Sequence, residues 1–448
     1  MEKDMTTTVS KLATEAKPKG IAMNRVPLKS WNCRFDHRYE QIKQVGKGAY
    51  GDVYKARLKP EYCTSEEEEK SYFALKKLIA TKSDEGFPIT SLREIQFLKK
   101  LNHENIVNLH DVVVSKQEGD NRDKRADVYL VFEYMDYDIN GLISKKVEFT
   151  SANIKCLMQQ LLTGVKYLHD NDVMHRDIKG ANILLDGEGT LKVADFGLAK
   201  QYDKFRKMYT NKVVTLWYRA PELLLGSHNY NKSLDIWSVG CFMAELFIGK
   251  PLFPGSVEAK QIDLIFKLCG VPTLESWPSL AYLHAFSELD LSPSPDQREK
   301  FFKKLPTYSK TLDDQGIDLM LGMLTLNPDH RLTVDECLEH PYFTTEPLPC
   351  QKSELPKIEG DAHEHGVRVE WKEKLLAEKQ NQQFSSSRNY RDRDNNRDYR
   401  RDDRRDDRRD YRDRRDDHRN SRGHHRDNRS HKHHYSGHKR SYHDRERR

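Results

Sequence analysis

The chain has 448 residues, enough for one large or two medium domains with a full core. Its seven cysteines are odd in number and form no Cys-x-x-Cys pair, which argues against a disulfide framework or a zinc site and for a reducing compartment. The formal charge of +6 is uneven: residues 388–448 hold 23 Lys and Arg against 14 Asp and Glu, leaving 53 basic and 56 acidic residues for the rest.

No apolar segment follows "MEKDMTTTVSKLATEAKPKG", and "DIWSVGCFMAELFIG" is broken by Glu245 short of the ~20 residues a membrane helix needs, so a soluble intracellular protein is expected. Residues 1–36 are polar and patternless and read as a flexible arm. From Tyr39 come short β-rich runs, "YEQIKQVGKG", "GDVYKARL" and "SYFALKKLI", separated by glycines or a polar insert, which predict an antiparallel sheet. In "FPITSLREIQFLKKL", Pro88 precedes Leu92, Ile95 and Leu98 at helical spacing, predicting one amphipathic helix. "DVYLVFEY" reads as a further strand. In "TSANIKCLMQQLLTGVKYLHD", Ile154, Leu157, Met158, Leu161, Leu162, Val165 and Leu168 mark one face of a long helix, with Thr150 or Ser151 as cap. The chain to about residue 345 is Leu-rich, punctuated by Pro and Gly, and mainly helical. Residues 344–387 read as a linker with one short helix, "EWKEKLLAEKQ". Residues 388–448, almost without aliphatic side chains, cannot offset their ordering entropy and are expected to be disordered.

Gly46, Gly48 and Gly51 in "GKGAYGDV" lie between two predicted strands, where missing side chains let backbone amides approach a phosphate. The same spacing fits a plain hairpin turn; no helix follows, which excludes the dinucleotide fingerprint. A strand carrying "ALKK" does follow, so Lys76 is suited to holding phosphates, and Glu94 on the next helix to pairing with it. The stretch "VMHRDIKGANILLDGEGTLKVADFGLAK", Val173 to Lys200, sets carboxylates in an apolar frame, where they are rare unless paired or holding a metal. Phosphoryl transfer needs such a set: oxygen ligands for Mg²⁺ from Asn182 and Asp195, and a carboxylate, Asp177, to orient the attacking hydroxyl. "HRD" or "DFG" alone says little, but both, with "APE" after them and a glycine loop, Lys and Glu before, form a specific set.

On these motifs, residues from about 39 to 343 resemble a eukaryotic protein kinase. The resemblance implies an α+β, two-lobed protein kinase fold over 37–343: an antiparallel β N-lobe with one helix (about 37–132), a hinge (133–138) and a mainly α C-lobe (139–343). It implies ATP and Mg²⁺ as cofactors. Gly46, Gly48 and Gly51 would cover ATP, Lys76 would hold its α- and β-phosphates and pair with Glu94, Asp177 would be the catalytic base, and Asn182 and Asp195 would bind Mg²⁺. Lys179 stands where Ser/Thr kinases contact the transferred phosphate, and Thr215 where they position Asp177. Phe132 would back the adenine pocket, Glu133 and Met135 lend it backbone hydrogen bonds, Val53, Ala74 and Leu184 line it, and Asp138 belongs to the same nucleotide site. Asp235 and Trp237 fit structural positions of the family, as does Arg331, expected to pair with Glu222. Every catalytic position is filled, which argues against a pseudokinase.

Within the family, "FPITSLRE" resembles the cyclin-binding helix of cyclin-dependent kinases, and "YTNKVVTLWYRAPELLLG" their activation segment. Together with "LVFEYMDYDINGL" they resemble the transcriptional, elongation-phase members that phosphorylate the RNA polymerase II C-terminal repeat; Thr210-Asn211-Lys212 excludes the Thr-x-Tyr of a MAP kinase. Thr210 would be the activating phosphosite, the product of a separate activating kinase, with its phosphate gathered by Arg93, Arg176 and Lys200. The family usually has Arg at the last position, and lysine lacks the planar fork. An ordinary loop threonine is the alternative. Shifting a population from about 1:99 to 99:1 takes roughly 5.5 kcal/mol, against about 1.5–3 per new hydrogen bond to a charged group, so phosphate alone is marginal and a cyclin partner is expected to bring Glu94 to Lys76. Tyr50 aligns with the family's inhibitory tyrosine, while Ala49 replaces the usual neighbouring threonine. Val213 and Val214 match residues that favour proline after the target Ser or Thr.

"DAHE", Asp361 to Glu364, is similar to a short extension of some elongation members that folds over the ATP site and reads DCHE; Ala362 departs from it, and a solvated linker is the alternative. The tail from Gly423 onward is nearly free of acids, with Tyr435 and Tyr442 available for stacking, which suits weak contact with RNA or splicing factors and a place in the nucleus; a solubilising extension is the alternative. Two readings compete with the transcriptional kinase: a cell-cycle cyclin-dependent kinase, and an RNA- or splicing-factor-binding scaffold that uses a kinase fold as its docking body.

Overall fold

The computed structural model describes residues 34–48, 51–65, 71–78, 89–115, 127–205, 208–211, 213–287, 295–303, 312–360, 362–374 and 376. The arm up to residue 33, Tyr50, the Arg93 side chain, Asp361 and the Arg/Asp-rich tail lie outside the described residues.

A six-stranded sheet forms the N-lobe. Its strands are β1 (Arg34–Phe35), β2 (Tyr39–Gly48), β3 (Gly51–Leu58), β4 (Tyr72–Leu78), β5 (Leu109–Val114) and β6 (Val128–Glu133), in the order β1-β5-β6-β4-β3-β2. β2 to β6 pair antiparallel, as the sequence predicts; β1 adds a parallel pair at the β5 edge, from residues read as part of the arm. β5, "LHDVVV", escaped the sequence reading because His110 and Asp111 interrupt its apolar pattern, and its ladder shifts register between Leu109 and Asp111.

Side chains alternate across a strand, and that alternation decides which residues meet the cleft. On β4, Phe73 and Leu75 join Val131 and Tyr129 of β6 in a core on one face of the sheet. Ala74, Lys76 and Leu78 therefore point to the other face, where Lys76 is paired with Leu130 and Ala74 with Phe132. Helix α1 (Ile89–Leu98) packs below that face. Two residues of the expected stripe face the core, Leu98 (4% exposed) and the partly buried Ile95, but Leu92 is 47% exposed and Glu94, 3% exposed, shares the buried side instead. The helix is turned so that Glu94, drawn to Lys76, faces inward.

The hinge leads through β7 (Tyr137–Asp138) to α2 (Ile139–Ser144) and α3 (Ser151–Asp170). Thr150 caps α3 in a reciprocal box with Asn153, worth about 1 kcal/mol. All seven apolar residues of the predicted face are fully buried. Three short strand pairs then frame the loop from His175 to Asn182: β8 (Val173–Met174) with β11 (Lys200–Gln201), and β9 (Ile183–Leu185) with both β10 (Leu191–Val193) and β7. Helix α4 (Ser233–Ile248) is apolar nearly all round and buried accordingly; α5 (Glu258–Cys269), α6 (Asp314–Met323) and α7 (Val334–Leu338) complete the lobe.

The segment read as a linker packs against the lobe instead. The Cys350 amide donates to the Ala152 carbonyl, and the Tyr137 hydroxyl donates to the Ile358 carbonyl (2.6 Å). Ala362 forms a parallel bridge with Tyr137, and a helix (residues 364–374) follows, six residues earlier than the sequence suggested.

Candidate active site

The loop from His175 to Asn182 hangs from one carboxylate. Asp235, fully buried in the first turn of α4, accepts the backbone N–H groups of His175 (2.9 Å) and Arg176 (2.8 Å) and lies 3.0 Å from His169 Nε2. Burial alone would raise its pKa, but the hydrogen bonds from His169 and the Arg176 amide, with the His169 and His175 charges, hold it below the usual carboxylate value. The anchorage keeps Arg176 in the left-handed region (φ 65°), a conformation costly for a residue with a Cβ.

That turn delivers Asp177, 2% exposed, with its carboxylate held on both sides. One oxygen accepts from the Thr215 hydroxyl (2.7 Å) and amide (3.1 Å); the other from Lys179 Nζ (2.7 Å) and Asn182 Nδ2 (3.0 Å). Lys179 also reaches the Thr215 hydroxyl (3.0 Å). Asn182 Nδ2 donates again to the Asp177 carbonyl, which leaves its Oδ1 as the acceptor available to a cation.

Above this loop, Lys76 Nζ lies 2.8 Å from Glu94 and 2.9 Å from Asp195. Burial disfavours the ammonium, but the two carboxylates outweigh it and its pKa is raised. Two acids share one cation, so their shifts part: burial lifts Glu94 above its ordinary value, whereas at Asp195 the Lys76 charge overcomes burial and lowers it. Asp195 sits at φ 64°, with Phe196 fully buried against His175. Gly46, Gly51, Val53, Ala74, Lys76, Phe132, Glu133, Met135, Asp138, Asn182, Leu184 and Asp195 line one cleft of about 300 Å³. Gly48 ends β2, opposite Gly51.

The C-terminal segment lines one side of the cleft. The Ala362 amide donates to the Asp136 carbonyl, the Asp138 amide donates to the Ala362 carbonyl (both 3.1 Å), and His363, Glu364 and His365 join the cleft lining. Asp138 is occupied: Oδ1 accepts the Gly141 amide (2.7 Å), and Oδ2 accepts the Glu364 amide (2.8 Å) and lies 3.5 Å from His363 Nδ1. A Cβ on Gly141 would stand 2.2 Å from the Ala362 carbonyl oxygen, so only glycine admits this path.

In the activation segment Thr210 is exposed. Its carbonyl accepts from the Tyr230 hydroxyl (2.6 Å), which in turn accepts from Arg176 Nη1 (2.8 Å); Arg176 Nε donates to the Leu198 carbonyl. Lys200 lies on β11 and Arg93 on α1. Val214 adopts φ 68°, a strained value for a β-branched residue, and its carbonyl accepts from Arg219 Nη2 (3.1 Å). Arg331 meets Glu222 in a two-pronged pair at 2.9 Å, as the sequence suggested. The sequence motifs assign no role to Arg219, within "LWYRAPE", or to Tyr230. Neither has a local signal: each acts on a backbone group of the activation segment.

Residues 39–343 match the protein kinase domain model. Curated relatives include cyclin-dependent kinase C-1 of Oryza sativa subsp. japonica, 42% identical over 78% of this chain and 66% of its own length. The probable cyclin-dependent kinase 9 of Schizosaccharomyces pombe is 40% identical over 74% of this chain and 56% of its own. The chain thus spans about two thirds or less of the length of these relatives. Among solved structures, the yeast RNA Pol II CTD kinase CTDK-1 complex aligns with a TM-score of 0.62 and 38% identity over 70% of this chain and 95% of that one. The CAK complex of Chaetomium thermophilum bound to ATP-γ-S aligns with a TM-score of 0.63 and 34% identity over 72% and 95%.

Proposed function

The chain belongs to the protein kinase family, in its cyclin-dependent branch, and from that premise we propose that it is a transcriptional serine/threonine kinase acting on Ser-Pro or Thr-Pro sites of the RNA polymerase II C-terminal repeat in the nucleus. The observation that carries the reading is the Asp177 carboxylate, fixed by Thr215, Lys179 and Asn182 beneath the Lys76–Glu94–Asp195 cluster in one cleft.

The donor set fits Mg·ATP. Asp195 is held ionised and the Asn182 Oδ1 is left for a cation, so these two would hold Mg²⁺ while Lys76 would hold the phosphates. Bound there, Mg·ATP supplies the transferable phosphoryl group with its charge neutralised. Asp177 orients the incoming Ser or Thr hydroxyl and accepts its proton. Lys179, on Asp177 and Thr215 together, keeps that carboxylate from rotating. His363, Glu364 and His365 supply polar groups at the cleft mouth where Asp138 is already taken, which supports a role for the C-terminal segment in the nucleotide site.

A cyclin and a Thr210 kinase are the regulators we assign. The Lys76–Glu94 pair is already made in this structure, so the cyclin's contribution is to hold α1 in this position rather than to create the contact. Val214, with its carbonyl turned onto Arg219, offers no acceptor to the residue after the target, which suits proline, a residue without an N–H. The tail's weak contact with RNA or splicing factors remains part of the proposal on its composition alone.

The test is phosphate transfer from Mg·ATP to a polymerase-repeat peptide, with the chain alone and with a transcription-type cyclin, beside Asp195→Asn. Transfer that needs cyclin and disappears in Asp195→Asn is the expected result. No transfer in any combination, with cellular function retained by Asp195→Asn, would favour the scaffold.

A further inference from the structure

The proline preference proposed above rests on a peptide unit that is clamped at both ends. The Val214 carbonyl accepts from Arg219 Nη2 (3.1 Å), and the N–H of that same unit, on Thr215, donates to Asp177 Oδ1 (3.1 Å). A trans peptide is planar with its C=O and N–H pointing opposite ways, so neither end can turn without the other. Val214, which precedes the clamped unit, stands at φ 68°.

Arg219 is itself aimed from α5. Its Nη1 lies 2.5 Å from Oε1 of Glu258, the first residue of that helix, while its buried Nε has no hydrogen-bond partner among the described residues. The Arg219 side chain is 13% exposed and that of Glu258 56%. The start of α5 braces the same loop twice more. Trp217 Nε1 donates to the Gly255 carbonyl (2.9 Å), and the fully buried Gln261 accepts the Gly255 amide (3.0 Å) and donates to the Trp217 carbonyl (3.2 Å).

We propose that Glu258 is a specificity-determining positioning residue: by orienting Arg219 it keeps the Val214 carbonyl away from the substrate, and so sets the requirement for proline after the phosphoacceptor. With the clamp closed, any other residue at that place buries an N–H that finds no acceptor. With Arg219 released, the peptide unit can turn its carbonyl toward the substrate and accept that N–H, which relaxes the preference and loosens one of the bonds on Asp177.

The inference depends on the Ser/Thr-Pro kinase reading, and the experiment separates the two. The Thr210-phosphorylated cyclin complex is assayed on two peptides that differ only in Pro or Ala after the target serine, for wild type, Glu258→Ala and Glu258→Gln. Glu258 is on the surface, so both variants are expected to fold. The wild-type kcat/KM ratio should favour Pro; Glu258→Ala should lower that ratio about fivefold, as suits a partly exposed ion pair. Glu258→Gln, which keeps an acceptor oxygen without the charge, should fall between. A loss of general stability would reduce turnover of both peptides together and leave the ratio alone. A strong wild-type preference that Glu258→Ala leaves unchanged overturns the role of Glu258. A wild type that does not distinguish the peptides overturns the proline reading and this inference with it.

Discussion

The catalytic loop and the activation segment touch, yet they are held by opposite means. The loop hangs from Asp235, fully buried and surrounded by donors, and has little freedom to move. The segment around Thr210 is tied through its main chain to Tyr230, while the Thr210 side chain stands exposed. A buried, fully paired carboxylate fixes one geometry because every alternative leaves donors unsatisfied; an exposed hydroxyl can be modified without disturbing the packing beneath it. The proposed catalytic groups are thus set into the fold, and the residue proposed as the switch lies beside them on the surface.

Removing the buried anchor should have the largest effect. Asp235→Ala strands three donors at roughly 1–3 kcal/mol each, so stability should fall by about 3 kcal/mol or more and phosphate transfer with it, read from urea unfolding and a peptide assay. Unchanged unfolding would erase the contrast between the two regions. Thr210→Ala should leave unfolding within about 0.5 kcal/mol, as for an exposed side chain, and reduce transfer by the cyclin complex about tenfold or more, as the loss of one to three charge-assisted hydrogen bonds to the phosphate implies. Equal activity of phosphorylated wild type and Thr210→Ala would remove Thr210 as the switch.

Acidity should act on the cleft before it acts on the loop. Glu94 is raised above 4.5 by burial and protonates first as pH falls, which leaves Lys76 paired with Asp195 alone, because Asp195, held below 3.8, stays ionised. Activity should therefore decline on the acid side at a pH set by Glu94, and Glu94→Gln should lose that inflection along with much of its rate. In stability the signs differ. The depressed Asp195 contributes above its unfolded value and loses that contribution as pH falls through its folded value; the raised Glu94 costs stability as pH rises past 4.5. An acid limb identical in Glu94→Gln would assign it elsewhere. The smallest effect is expected at the cleft mouth. Gly141→Ala should displace Ala362 and raise the KM for ATP a few fold, about 1 kcal/mol or less by the scale of one lost hydrogen bond, with little change in kcat.

Much of this site is legible before any coordinates. Asp177, Asn182, Asp195, Lys76 and Glu94 stand out because phosphoryl transfer restricts residue types and their spacing, and the structure brings the five together at one cleft. The buried stripe of α3 and the cleft-facing side of β4 follow from periods of 3.6 and 2. On α1 the helical period places Ile95 and Leu98 against the core but not Leu92, because Glu94, paired with Lys76, takes a share of the buried side.

What the tertiary structure alone decides is carried by the backbone. The seat of residues 350–360 and 362–365 along α3 and the hinge depends on carbonyls, amides and Gly141; the direction of the Val214 carbonyl depends on an arginine five residues on and a glutamate at the start of another helix. Every residue has a carbonyl and nearly every one an amide, so such pairings leave no mark in residue type. The sequence by itself determined which side chains are suited to the proposed chemistry, since chemistry selects side chains. Folding decided which peptide groups meet, because that depends on distances between segments far apart in the chain.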